Sequence, residues 1–141
     1  MNRMVCGLLF DEKMENVLLT KKNRPDWQIG KYNGVGGKVE DGETHYNAMV
    51  REFNEEAGRV IKDWNIVAVL DNIVFSDEVY VYYSVGELNY TQMEDEELYV
   101  FNINNLPETL IPNLKWIIPL CKYSKEIDML LPVEVEINKR G

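Results

Sequence analysis

The chain has 141 residues, 45% of them hydrophobic, which suits one domain with a core that needs no disulfide or metal. Its formal net charge of −9 excludes a general binder of nucleic acid polymers, because such proteins neutralise phosphates with clustered lysine and arginine. No apolar run approaches the roughly 18 residues that span a membrane, and the apolar start of the chain is too short for a secretory signal. We therefore predict one soluble domain over residues 1–141, without a membrane partner and in the cytoplasm.

The first part of the chain predicts a hairpin, a loop and a glycine-rich strand. Residues 4–10 and 17–20 are two short apolar runs on either side of a polar turn, which is typical of a β-hairpin. Residues 21–30 form a basic loop that contains a proline. Four glycines within residues 32–42 suit a backbone that passes close to a ligand or to another strand, with a short strand around residues 36–39.

A helix is predicted between Thr44 and Gly58. Thr44 is a typical N-cap residue, and Gly58 is a typical residue to end a helix. Between them, apolar residues recur at helical spacing: Tyr46, Met49, Val50, Phe53 and Ala57. We therefore expect one face of this helix to pack on the core.

The second part of the chain predicts three or four strands and one helix. The strands are expected at residues 66–70, 79–85, 98–103 and 130–137, before the basic tail Lys139-Arg140. The helix is expected within residues 113–123, where Pro119 must either start it or kink it. Strands and helices in this order predict an α/β or α+β fold, with helices covering a mixed sheet.

Both cysteines, Cys6 and Cys121, are far apart in apolar surroundings. This pattern favours two buried thiols in a reducing compartment over a disulfide or a metal site.

Three glutamates of the predicted helix, Glu52, Glu55 and Glu56, fall on one ridge beside its apolar stripe. Carboxylates at this spacing repel one another, so a cation is expected to compensate them. Mg²⁺ prefers carboxylate oxygens together with water and phosphate oxygens. The alternative is a solvated acidic helix face, which glutamate-rich helices commonly have.

The spacing of glycine, glutamate and arginine residues from Gly37 onwards decides between a metal site and a solvated helix face. Gly37 is followed after five residues by Glu43, after seven more by Arg51-Glu52-Phe53, and then by Glu55-Glu56 and Gly58. This pattern resembles the Nudix box over residues 37–59, and the order of elements resembles the family's mixed sheet between helices. It departs at Arg59, where the family has an aliphatic residue, and Val60 follows. A shift of one residue or a change in local packing would explain the departure.

The resemblance implies roles for the residues of the box. Glu52, Glu55 and Glu56 would bind the metal, together with the carbonyl of Gly37. Glu43 and Arg51 would form a structural ion pair that orients the loop and the helix. The expected cofactor is Mg²⁺, with Mn²⁺ as an alternative, and the expected reaction is attack of water on a diphosphate.

The reaction also needs a general base, which in this family is a box glutamate or a residue of a later loop. We favour Glu96, in the acidic turn of residues 94–97, although such a turn also serves as soluble surface. His45, at the start of the helix, is expected to be an exposed histidine without a catalytic role.

Two segments outside the box indicate which substrate to expect. Residues 18–43 resemble the nucleoside-triphosphate-cleaning, MutT-like branch of the family. By that resemblance Asn33 would read a purine edge and Lys22 and Lys38 would contact phosphates. Alternatively, Asn33 is a turn residue before Gly34 and Lys22 is a surface residue.

Residues 106–120 resemble the base-recognition segment of the same branch, in which a tryptophan before proline is followed by aspartates. Here Ile111 precedes the proline and Asn113 follows it, which argues against strict recognition of an oxidised guanine. Asn113 and Trp116 are the candidates for binding the base, although a tryptophan in such a segment more often lies in the core. Trp27 is a further candidate for stacking.

The leading hypothesis is therefore a hydrolase that converts a nucleoside triphosphate, with an ordinary or a modified purine, to its monophosphate and pyrophosphate. A second hypothesis is hydrolysis of another nucleoside diphosphate compound, such as ADP-ribose or a dinucleoside polyphosphate. A third is a nucleotide-sensing module without activity. The expected partner is a small nucleotide, and both a monomer and a homodimer remain open.

Overall fold

The computed structural model describes residues 2–127 and 132–138, in which eight strands form one mixed sheet. The strands are β1 (Asn2–Phe10), β2 (Asn16–Lys21), β3 (Tyr32–Asn33), β4 (Val35–Lys38), β5 (Asn65–Asn72), β6 (Asp77–Val85), β7 (Leu98–Asn102) and β8 (Val133–Ile137). The helices are α1 (His45–Ala57) and α2 (Leu114–Glu126), and a short 3₁₀ turn covers Asp26–Gln28.

Strand β1 organises the sheet. It pairs with β6 in parallel over its whole length and with β4 in antiparallel orientation. The predicted hairpin is confirmed at its turn, where Leu9 and Phe10 pair with Leu18 and Val17. Beyond the turn, β2 leaves β1 and pairs with β7 and β3, while β4 takes its place.

Glycines allow β4 to lie against β1. A Cβ added at Gly36 would lie 1.9 Å from the carbonyl oxygen of Val5. Any side chain there would therefore push the two strands apart, and the glycine-rich sequence is a requirement of this close approach.

The sheet separates two apolar cores because side chains of a strand alternate between its faces. On β1, Cys6, Leu8 and Phe10 belong to the core beneath α2, and Val5 and Leu9 belong to the core beneath α1. The predicted mixed sheet between helices is thus confirmed.

Helix α1 begins and ends where the sequence predicts. The Thr44 side chain accepts a hydrogen bond from the backbone N–H of Asn47 at 3.1 Å, and Gly58 ends the helix in the left-handed conformation with φ 70°. The expected buried stripe needs one correction. Tyr46 is 37% exposed, because the helix instead turns Ala48 and Glu56 towards the sheet.

Pro119 lies inside α2 and does not start it. Proline removes the hydrogen bond to the carbonyl four residues earlier, which here belongs to Lys115. Lys115 and Pro119 are both exposed, so water can bind that carbonyl. The opposite side of α2 buries Leu114, Ile117, Ile118 and Cys121.

The later strands are confirmed at β5, β6 and β7. The last predicted strand is described only as β8, since residues 130 and 131 and the basic tail Lys139-Arg140 lie outside the described residues. No helix within the described ranges is long and apolar enough to cross a membrane.

Both cysteines are free and buried, as predicted. Burial raises the pKa of the Cys6 thiol to about 11 and also raises the pKa of Cys121. Both thiols are therefore protonated at neutral pH.

Candidate active site

Gly37 on β4 brings the glycine-rich strand against the acidic side of α1. A Cβ added at Gly37 would lie 2.5 Å from the carboxylate of Glu52. The space that glycine leaves is thus filled by a carboxylate, and the backbone of β4 and the Glu52 side chain form one wall of the site.

The three glutamates of the box differ in burial. Glu56 is only 7% exposed, Glu52 is half-buried and Glu55 is exposed. Burial raises the pKa of Glu56 to about 9, and the charge of Glu52 adds to the effect. Burial also raises the pKa of Glu52, although the Arg51 guanidinium opposes the shift.

Glu56 also has an oxygen without a partner. Its Oε2 is buried and accepts no hydrogen bond from any described residue. Buried polar atoms in proteins are nearly always bonded, so this oxygen needs a ligand or a proton. A divalent cation beside Glu52 and Glu56 would satisfy it.

Arg51 lies at the centre of the remaining carboxylates. Its Nε and Nη2 donate to the two oxygens of Glu43 at 2.8 and 3.0 Å. Its Nη1 donates to Glu52 at 2.9 Å and to Glu55 at 3.1 Å, and its Nη2 also donates to the carbonyl of Lys38 at 3.0 Å. The pKa of Arg51 is raised, mainly by Glu43. One guanidinium therefore holds the loop of residues 38–43 on the helix.

These contacts set how the site could bind a metal. In residues 2–127 and 132–138, no three histidine, cysteine or acidic side chains converge on one point. The reason is that Arg51 draws Glu52 and Glu55 towards itself, while Glu56 remains without a partner for Oε2. The ligand atoms available are all oxygens, which fits Mg²⁺ or Mn²⁺.

The loop before β7 closes over the end of α1. The N–H of Met93 donates to the carbonyl of Glu56 at 3.2 Å, and the charge of Glu94 contributes to the raised pKa of Glu56. Glu96, the expected base, is buried and accepts from Lys22 Nζ at 3.0 Å and from the N–H of Asn23 at 2.7 Å. Its carboxylate is thus held by the loop that follows β2.

A cavity of about 470 Å³ extends from Gly36 and Gly37 across the sheet face beneath α2. Its lining includes four residues singled out in the sequence: Lys22, Trp27, Asn33 and Asn113. The glycines at one end connect it to the acidic side of α1, so a single elongated ligand could reach both regions.

Two of the expected binding residues do not line this cavity. Lys38 is exposed at the end of β4, and its carbonyl accepts from Arg51. Trp116 is half-buried against the core, and its indole N–H donates to Asn113 Oδ1 at 3.1 Å. Trp116 therefore reaches the cavity only through Asn113.

Sequence reasoning missed four other polar residues of the cavity lining: Cys6, Gln28, Asn72 and Asp77. Cys6 follows from the alternation of β1 once the face beneath α2 is known. Gln28 and Asp77 come from loop and strand-end positions that carry no sequence pattern of their own.

The expectation of an exposed His45 is wrong in detail. His45 is half-buried, because its ring stacks on Tyr80 and its Nδ1 is hydrogen-bonded to the Tyr82 hydroxyl. Burial accordingly lowers the pKa of His45. Arg59 donates to the carbonyls of Glu87 and Asn89 at 2.7 and 2.8 Å and so ties the end of the box to the loop after β6.

Of the two alternatives for the departure at Arg59, the structure shows a change in local packing and no one-residue shift, since Val60 is 61% exposed. The aliphatic contact expected there is thus replaced by the two hydrogen bonds of the Arg59 guanidinium. The box keeps its register, and its last position is held by polar contacts.

Comparison with known proteins gives the family. Residues 2–124 match the family model described as NUDIX domain. The mixed sheet between two helices agrees with this match. The chain belongs to the Nudix family and is a Nudix hydrolase.

Solved structures share this fold. The chain is similar to the MutT NUDIX hydrolase of Burkholderia pseudomallei, with 22% identity, TM-score 0.73, and 84% of this chain and 96% of that chain covered. It is similar to a MutT protein of Bacillus halodurans, with 21% identity, TM-score 0.71, and coverage of 98% and 91%. It is also similar to an ADP-ribose pyrophosphatase of Streptococcus suis, with 19% identity, TM-score 0.70, and coverage of 97% and 98%.

Proposed function

We propose that the protein hydrolyses a nucleoside triphosphate, with an ordinary or modified purine base, to the monophosphate and pyrophosphate in a Mg²⁺-dependent reaction. The observation that carries the proposal is the unpartnered, buried oxygen of Glu56 next to Gly37 and Glu52, at one end of a cavity large enough for a nucleoside. The acidic side chains at one end would bind the metal and the phosphates, and the cavity at the other end would bind the nucleoside.

Metal binding would fall to Glu52, Glu55, Glu56 and the carbonyl of Gly37. A bound Mg²⁺ or Mn²⁺ would neutralise the charge of the diphosphate and lower the pKa of a bound water. Arg51 keeps the loop and the helix in register through Glu43, so that the carboxylates stay on the same side of β4.

The residues of the cavity would bind the other parts of the substrate. Lys22 lines the cavity with its ammonium at Glu96, and it would contact a phosphate if it exchanged that partner. Asn33 and Asn113 also line the cavity and would contact the base, and Trp27 adds an aromatic ring to the lining. Glu96 as general base requires the same exchange, because Lys22 and Asn23 hold both of its oxygens. The box glutamates are the alternative bases.

A second substrate class remains open. The similar protein of Streptococcus suis is described as an ADP-ribose pyrophosphatase, which also cleaves a diphosphate. In that case the acidic end would bind the same linkage, and the second ribose phosphate would extend beyond the cavity.

The direct test is to incubate the purified protein with ordinary and modified purine (d)NTPs, ADP-ribose and dinucleoside polyphosphates, with Mg²⁺, with Mn²⁺ or with EDTA. We expect monophosphate and pyrophosphate from the triphosphates and no turnover in EDTA. Formation of AMP and ribose phosphate alone would support the second class. No hydrolysis of any compound would refute the proposal.

Variants of the box glutamates and of a surface glutamate test whether the box binds the metal. Glu55→Gln and Glu56→Gln should each lower kcat by roughly a hundredfold or more, because each removes a ligand of the charge-neutralising metal. Glu134→Gln, on the exposed side of β8, is the matched control and should leave kcat unchanged. Full activity in both box variants would show that the metal binds elsewhere.

A further inference from the structure

The loop of residues 87–97, between β6 and β7, lies on the C-terminal end of α1. The N–H of Thr91 donates to the carbonyl of Ala57 at 2.9 Å, and the N–H of Met93 donates to the carbonyl of Glu56 at 3.2 Å. The last carbonyls of a helix have no partner within the helix, so these two bonds satisfy groups that would otherwise need water. The 87–97 loop is therefore attached to the turn of α1 that carries Glu56.

Gly58 makes room for this contact. It ends α1 in the left-handed conformation, with φ 70°. A Cβ added there would lie 3.2 Å from the Cβ of Thr91 and 3.4 Å from the sulfur of Met93. The loop therefore packs on the bare backbone of Gly58, and the side chain of the next residue, Arg59, reaches the same loop.

Arg59 holds the beginning of the loop. Its Nη1 donates to the carbonyls of Glu87 and Asn89 at 2.7 and 2.8 Å. Both bonds have a charged donor, which makes them stronger than bonds between neutral groups. A positive charge just beyond the end of a helix is also favourable, because the helix dipole is negative there. One side chain thus reinforces the two backbone bonds between the loop and α1.

The far end of the loop is held by the segment that follows β2. The Glu96 carboxylate accepts from Lys22 Nζ at 3.0 Å and from the N–H of Asn23 at 2.7 Å. With Arg59 at the beginning of the loop and Lys22 at its end, the residues between them have few conformations available. The middle of the loop is thereby kept on α1.

The contact of the loop with α1 bears on Glu56. This residue lies in the last turn of the helix and is nevertheless buried. The backbone of Met93 lies on that turn, and the charge of Glu94 contributes to the raised pKa of Glu56. None of the described residues of the loop lines the cavity beneath α2. Release of the loop would therefore disturb the acidic end of the site and leave the nucleoside end intact.

We propose that Arg59 is a positioning residue for the hydrolysis: its guanidinium holds the 87–97 loop on the last turn of α1 and thereby keeps the Glu56 carboxylate in place. The inference rests on the proposed function, since it adds a residue to the same reaction. It also gives a role to the departure at the end of the box. An aliphatic side chain at this position has no donor for the two carbonyls.

Arg59→Met tests this role, because it keeps a long side chain and removes the donors. For whichever of dGTP and ADP-ribose the protein hydrolyses with Mg²⁺, we expect kcat to fall roughly tenfold and KM to change less than about twofold. Arg59→Lys keeps a charged donor and should recover most of the lost kcat. Arg3→Met, at an exposed arginine of β1, is the matched control and should leave kcat unchanged.

Amide hydrogen exchange measures the loop itself, independently of turnover. In Arg59→Met the N–H groups of Thr91 and Met93 should exchange roughly tenfold faster than in the native protein, because their bonds to α1 open more often. The amides of β1 that pair with β6 should keep their rates. A general loss of stability would accelerate both sets, so the comparison separates a local release from partial unfolding. All assays are run below the unfolding transition of every variant.

The outcomes separate this inference from the proposed function. Normal kcat in Arg59→Met, or unchanged exchange of Thr91 and Met93, would refute the inference and leave the hydrolase intact. A higher KM at normal kcat would place Arg59 in substrate binding and would also refute it, as would equal losses of kcat in Arg59→Met and Arg59→Lys. No hydrolysis by the native protein would overturn both the proposed function and the role of Arg59 in it.

Discussion

Glu56 makes the stability of the metal-free protein depend on pH in an unusual direction. Burial raises its folded-state pKa to about 9, from an ordinary value of 4.5. The folded protein therefore retains a proton that the unfolded chain releases. Its contribution to stability is fully present below pH 4.5 and is lost as the pH rises through about 9. We expect the metal-free protein to become less stable as the pH rises from about 5.5 to about 7.5, a range that lies between the unfolded and the folded pKa of Glu56.

The size of this effect follows from the proton count. One proton that is bound in the folded state and released in the unfolded state changes the free energy of unfolding by about 1.4 kcal/mol per pH unit. Across the two pH units this gives roughly 2–3 kcal/mol, or a fall in Tm of roughly 6–10 °C for a domain of this size. Glu52 titrates together with Glu56, so the effect belongs to the pair.

The assay is thermal unfolding in EDTA across this pH range, for the native protein and for Glu56→Gln. The variant carries no titratable group at this position, so its Tm should depend much less on pH. Mg²⁺ should restore the Tm of the native protein at the higher pH, because the cation replaces the proton on the buried carboxylate. Glu55→Gln is the control, since that side chain is about half exposed, and it should keep the native slope. If Tm fell equally with pH in the native protein and in Glu56→Gln, the reasoning would be refuted.

Two further substitutions test the site. Gly37→Ala places a Cβ 2.5 Å from the Glu52 carboxylate, so Glu52 must move, and we expect kcat to fall roughly a hundredfold at nearly unchanged Tm, measured by pyrophosphate release and thermal unfolding. Lys22→Met removes the partner of the buried Glu96 carboxylate and should lower the free energy of unfolding by about 3 kcal/mol, measured by urea denaturation.

Each of these substitutions has a matched control. Gly86 has no atom within 4 Å of an added Cβ, so Gly86→Ala should retain full activity. Arg24→Met removes an exposed ion pair with Asp95 from the same loop and should change stability little. Normal activity of Gly37→Ala, or equal destabilisation by Lys22→Met and Arg24→Met, would contradict the roles given to Glu52 and Glu96.

The parts of the fold that the sequence predicted are those with local causes. Helix α1 follows from its cap, its terminal glycine and the spacing of Met49 and Phe53, all of which act within a few residues. The strands follow from their apolar runs. The departure of β2 from the hairpin has no such local cause, because it depends on β4 pairing with β1 through Gly36.

The same distinction applies to the site. Spacing placed the three box glutamates on one ridge, but it could not rank their burial. The loop before β7 covers Glu56, while Glu55 stays exposed beside Arg51. The partner of Glu96 was likewise unpredictable, since Lys22 lies 74 residues away in sequence.

The direction of a side-chain amide is likewise set by its hydrogen-bond partners, which the spacing of residues in the sequence does not give. Asparagine carries a donor and an acceptor in nearly the same shape, so a sequence shows that an amide is present but not which end meets the ligand. Trp116 settles this for Asn113, and it does so from outside the cavity. A substitution that removes the indole N–H of Trp116 would therefore release the Asn113 amide without altering any residue that lines the cavity.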